Sequence, residues 1–123
     1  MDFASLRAHV LYQIGQDQED LGDFLPHLDA YLNEGYDRLV MAHAGVHVSE
    51  DSRSYMPLTR DRSVPRLPQW AHRAIADWAV WLIFRSGSAQ KQNRGYVFRQ
   101  SFETVERRLR AESEQRRITN IPK

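Results

Sequence analysis

At 123 residues, with 41% apolar and 27% charged side chains, the chain has the length and composition of one globular domain rather than of a disordered or fibrous protein. It contains no cysteine, which removes disulfides, thiolate metal sites and thiol nucleophiles together. The net charge of +1 conceals an asymmetry: residues 1–51 carry ten acids and two bases, net −8, and residues 52–123 carry six acids and fifteen bases, net +9. Such a chain can satisfy itself internally, present two ordinary solvated faces, or pair head-to-tail with a copy of itself.

The start, Met1-Asp2-Phe3-Ala4-Ser5, lacks a basic region followed by an apolar run, so no signal peptide is expected. The longest apolar stretch, Trp78 to Phe84, is seven residues. A membrane span needs ~20, and a soluble chain with no membrane partner is expected.

Four helices can be read in order. The first runs from about Asp2 to Ile14, with Phe3, Leu6, Val10 and Ile14 at helical spacing and Gly15 as its stop. An acidic loop, Gln16 to Gly22, follows. The second helix is predicted with Asp23 as its cap and Pro26 in its first turn, where a missing N–H is harmless. Leu25, Leu28, Leu32, Tyr36, Leu39, Val40 and His43 form its apolar stripe, Tyr31 flanks it, and Gly45 ends it.

Residues 45–68 break the pattern. Val46 and Val48 alternate with polar neighbours, Ser49 to Ser52 is turn-like, and Pro57, Pro65 and Pro68 exclude a regular helix. This stretch is read as a long irregular arm and, being long, as a contact surface. The third helix is predicted from Pro68 to Arg85. Ala71, Ile75, Trp78, Ala79 and Leu82 form one face, while Trp70, Val80, Trp81 and Phe84 point the other way. A helix apolar nearly all round is buried on both sides. It is read as the middle helix of the bundle, or as a helix whose second face meets another subunit, two readings that are compatible; Val80, Trp81 and Phe84 are the candidate interface residues.

Ser86-Gly87-Ser88 leads to a fourth helix, about Ala89 to Glu114, with Phe98, Phe102, Val105 and Leu109 as a narrow seam, Gly95 on the same stripe, and polar residues elsewhere. Residues 115–123 are read as an extended tail outside a helical domain of residues 1–114. It is basic, then alternating: Arg116, Arg117, Ile118 and Ile121. The expected fold is all-α, a small bundle of about four helices with the 45–68 arm between the second and third.

No chemistry is expected. His9, His27, His43, His47 and His72 include no set of three ligands at metal spacing. The glycines form no phosphate loop, the serines no nucleophile elbow, and Asp29, Glu34 and Asp37 make an acidic helix face. No cofactor, metal or catalytic residue is therefore assigned. The arginines at 94, 99, 107, 108, 110, 116 and 117 suit phosphate contacts, but Glu103, Glu106, Glu112 and Glu114 interrupt them.

The helix containing Tyr31-Leu32-Asn33-Glu34-Gly35-Tyr36-Asp37-Arg38-Leu39-Val40, and the later run from Leu67-Pro68-Gln69-Trp70 to Leu109, resemble the head–tail connector (adaptor) proteins of tailed bacteriophages. In those proteins a Leu-Pro start opens an aromatic, alanine-rich helix, followed by a short break and a long polar helix. The resemblance covers roughly residues 1–45 and 67–112. It implies a non-enzymatic virion protein at the head–tail interface, present in host cytoplasm during assembly. It further implies a homo-oligomeric ring, usually twelvefold, beneath the portal protein, with a stopper or tail protein docking below. Genomic DNA would pass through the channel without sequence-specific binding. The C-terminal segment, here Arg116, Arg117, Ile118 and Ile121, would dock on the portal. The alternatives are a small helical DNA-binding or regulatory protein, or another phage DNA-packaging or head-completion factor.

Overall fold

The fold is taken from a computed structural model that describes residues 1–15, 22–44 and 57–119. Among these residues there are four α-helices and no strand: α1 (Phe3–Ile14), α2 (Leu28–Ala44), α3 (His72–Phe84) and α4 (Ala89–Thr119). The all-α expectation is met. None of the helices is long and apolar enough to cross a membrane.

Asp2 starts α1 by accepting the Ser5 N–H on its carboxylate at 2.8 Å, a bond that holds its carboxyl below the ordinary value. Phe3, Leu6, Val10 and Ile14 are buried, as their spacing predicts. The second helix opens differently from expectation. A 3-10 turn, Leu25–His27, precedes α2, its cap position falls on Phe24 rather than Asp23, and no side chain caps it. Leu25, predicted to share the buried stripe, is 60% exposed, because three residues per turn carry it out of register with the 3.6-residue period beyond. From Leu28 onward the stripe holds: Leu28, Leu32, Tyr36 and Leu39 are buried, joined by Gly35 and Ala42.

Helix α3 is the centre of the bundle and packs against α1, α2 and α4. His72 and every residue from Ala74 to Phe84 are buried. Two glycines allow the close approach of its neighbours. A Cβ on Gly35 of α2 would lie 2.9 Å from the Trp78 Cβ, and one on Gly95 of α4 would lie 2.9 Å from the Phe84 Cβ and 3.0 Å from the Trp81 ring. Each tryptophan of α3 thus lies against a glycine of a different helix.

Contacts at both ends fix the helix directions. Trp81 stacks near Tyr96 and Trp70 lies under Arg108, so α4 runs antiparallel to α3. Arg38 pairs with Glu106 and the His43 carbonyl meets Arg116, so α2 runs parallel to α4. With 31 residues, α4 is about 46 Å long at 1.5 Å per residue and outruns α3. It continues to Thr119, past Glu114 where the expected tail begins, because glutamate, glutamine and arginine sustain a helix.

Candidate functional site

Three surfaces were expected to make contacts. The first is withdrawn. Val80, Trp81 and Phe84 are 0%, 6% and 1% exposed within the single chain, so they do not form a free subunit interface. The physical reason is α4. Gly95 lets its backbone lie against Trp81 and Phe84, Tyr96 packs on Trp81 with centroids 4.9 Å apart, and Phe98 stacks on Phe84. Guanidinium groups close the rest, with Arg99 5.4 Å from the Trp81 centroid and Arg94 5.4 Å from that of Phe84. Among the described side chains of α4, the large apolar ones that are exposed are instead Tyr96 and Val97.

The second surface is the C-terminal segment. Arg116 donates to the carbonyl of His43 at 2.6 Å, satisfying one of the open acceptors in the last turn of α2. That residue is bound to its own domain. Arg117 and Ile118 belong to the last turn of α4, and Ile121 lies outside the described residues, as do His47 and residues 45–56 of the arm.

The third surface is the remainder of the arm, residues 57–68, and here the structure adds most. The backbone is irregular but held at several points. Asn33 on α2 both donates to the Leu58 carbonyl (3.0 Å) and accepts the Leu58 N–H (2.8 Å), as a strand neighbour would. The buried Tyr36 hydroxyl accepts the Arg66 N–H at 2.8 Å. Residues 60–63 form a tight turn, with the Ser63 N–H bonded to the Arg60 carbonyl and the Ser63 hydroxyl accepting the Arg60 N–H. The carbonyls of Ser63 and Asp61 then accept the N–H groups of Phe3 and Ala4, which α1 itself leaves open. The Asp61 carboxylate pairs with Arg7, which also reaches Asp29.

This clasp encloses a half-open cleft of about 390 Å³ over Tyr36, bounded by Leu58, Arg60, Ser63, Val64 and Arg66. The turn holds Arg60 and Arg62 outward, and Arg66 lies just beyond; all three are exposed. The apolar spacing placed Tyr36 on the buried stripe of α2 but did not point to Asn33 or to the Tyr36 hydroxyl as anchors of the arm. The one available signal was Asn33 itself, an asparagine in the middle of a helix, where its side chain normally disfavours helical backbone.

The basic residues of α4 are differently placed. Arg99 pairs with Glu103 and Arg108 with Glu112. Arg38 holds both Glu106 oxygens at 3.0 and 3.1 Å while lying over Trp78 and Phe102. Three of the four glutamates that interrupt the basic run, Glu103, Glu106 and Glu112, are therefore partners of arginines rather than spacers.

Titratable groups in the interior are few. Burial pushes the Asp77 carboxyl up to about 6, against the opposing pull of Arg73. Burial also lowers His9, His43 and His72. Nε2 of His9 and Nδ1 of His43 are buried without a hydrogen bond, which favours their uncharged forms. No group of three or more potential ligands is placed to hold a metal among the described residues. Comparison with protein families, curated proteins and solved structures finds no match to this chain.

Proposed function

We propose that this chain is a structural adaptor of a tailed-phage virion, forming a ring beneath the portal, joining head to tail and extending the DNA exit channel. The observation that carries this reading is the order and packing of α2, α3 and α4. A Leu-Pro start opens an apolar helix that becomes the centre of the bundle, a short break follows, and a long polar helix covers it. The same order underlies the connector resemblance in the sequence. With Val80, Trp81 and Phe84 internal, the surfaces offered to neighbouring subunits are the outer face of α4 around Tyr96 and Val97 and the segment 57–66, among the exposed apolar side chains of the described residues. The pairing of Arg99 and Arg108 with glutamates favours this reading over a DNA-binding stripe on α4.

The test is sedimentation and electron microscopy of the protein mixed with the portal protein of the phage that carries it. Ring-shaped complexes are expected. A chain that stays monomeric with assembled portal would overturn the reading. Removing residues 120–123, which lie beyond the Arg116 contact, should leave the melting temperature unchanged and abolish portal docking. Unimpaired docking would separate the tail from the portal.

A further inference from the structure

We infer that the arginine cluster Arg60, Arg62 and Arg66, with the cleft beside it, is the docking site for the acidic segment 16–23 of a second copy of this chain. The inference deepens the ring reading by naming a subunit contact, and rests on it only for the existence of several copies.

The first observation is three exposed guanidinium groups within residues 60–66. Arg7, Arg38, Arg99 and Arg108 each have a carboxylate partner. Arg60, Arg62 and Arg66 are exposed, and among the described residues none of their guanidinium groups meets a carboxylate. The second observation is that their backbone is held in place. Asn33 fixes Leu58, Tyr36 fixes the Arg66 N–H, and the 60–63 turn is tied to the start of α1. Three guanidinium groups are thus carried close together on a fixed main chain, and arginine binds carboxylates with two parallel N–H bonds.

The sequence supplies the complement. Residues 16–23 contain Asp17, Glu19, Asp20 and Asp23, no base, and one large apolar residue, Leu21. The cleft offers Val64, 57% exposed, between its arginines, so an apolar side chain flanked by acids matches it in kind. A contact between two different patches is heterologous, the type that propagates from copy to copy and closes into a ring.

Because the chain has no cysteine, disulfide trapping tests the contact directly. Glu19→Cys and Arg62→Cys are made in separate chains and mixed under mild oxidation. The expected result is a disulfide-linked heterodimer at least tenfold more abundant than that of Glu19→Cys with Gln100→Cys on α4, and suppressed by high salt. Equal yields would overturn the inference, and so would bridge closure within a single chain carrying both cysteines.

A second pair guards against local damage. Arg60→Glu/Arg62→Glu/Arg66→Glu and Asp17→Lys/Glu19→Lys/Asp20→Lys should each fail to self-associate, yet associate when mixed. No rescue on mixing would sink the idea. Salt-dependent duplex DNA binding that is lost in Arg60→Gln/Arg62→Gln/Arg66→Gln, with no Glu19–Arg62 bridge, would assign the cluster to phosphates instead. Portal binding is scored separately on the wild-type chain. A portal-bound ring without the bridge overturns this inference alone, and a bridge without portal binding overturns only the portal reading.

Discussion

Helix α2 is gripped on two sides by different means. Toward α3 and α4 the core of the contact is apolar, with Gly35 admitting Trp78 and Trp78 meeting Phe102 at 4.7 Å between centroids, and Arg38–Glu106 and Trp78–Glu34 bonds lie at its rim. Toward residues 57–68 the contact is a set of directed hydrogen bonds from Asn33 and Tyr36. The difference teaches what each kind of contact can specify. Apolar packing repeats with the helix and supplies most of the stability. The hydrogen-bonded clasp has no period and fixes one irregular conformation, holding Arg60 and Arg62 in place.

The comparison can be broken most severely on the apolar side. Phe102→Ala removes a fully buried ring and should cost about 3–5 kcal/mol in denaturant unfolding. Gly95→Val should cost about 1–3 kcal/mol despite valine's slightly better helix propensity. The added carbons meet the Phe84 Cβ, which is bonded to the main chain and cannot swing aside. A neutral Gly95→Val would mean that α4 lies farther from α3 than described.

On the polar side, Asn33→Ala should cost about 1–2 kcal/mol by leaving the Leu58 amide without its partner. Its more telling effect should be local: hydrogen exchange at Leu58 and Arg66 should accelerate while the amides of α3 keep their protection. Uniform acceleration would show that the clasp and the bundle unfold together.

An effect of similar size but opposite sign lies at Asp77. Its carboxyl ionises near 3.8 when unfolded and at about 6 when folded. Between those values the folded state keeps a proton that the unfolded state has released, so stability falls as pH rises through this window. The penalty is fully present above about 6. Asp77→Asn should therefore gain roughly 1–2 kcal/mol at neutral pH and converge with the wild type below about pH 4. His9, His43 and His72 act with the opposite sign. Their lowered values mean that the unfolded state takes up protons first, so stability is lost as pH falls below 6.5. In Asp77→Asn that acid-side loss should stand uncompensated, which urea midpoints at several pH values would reveal.

Legibility in the sequence followed the same division. The stripes of α1, α2 and α4 and the doubly apolar α3 could be read from spacing, because packing repeats with the helix. Leu25 was misread where a 3-10 turn shifted the register. For Val80, Trp81 and Phe84 the sequence left a bundle interior and a subunit interface both open, because surplus apolar surface can be counted in a sequence but what covers it cannot; the bundle interior is what the structure shows. The covering by Gly95 and by arginine stems depends on how closely two helices approach. The clasp was missed for a further reason: Asn33 and Leu58 are 25 residues apart, and a pair of amide bonds leaves no mark on composition.

The placement of the three tryptophans gives the molecule built-in spectroscopic reporters. Trp78 lies at Gly35 and donates to Glu34 at 3.1 Å, so its emission follows the α2–α3 contact. Trp81, enclosed by Gly95, Tyr96 and Arg99, follows the α3–α4 contact. Trp70, 36% exposed and 3.8 Å beneath the Arg108 guanidinium, sits where α4 begins to outrun α3. Chains retaining one tryptophan at a time would therefore separate, by wavelength and quenching, the loosening of two internal seams from the bending of the projecting end of α4.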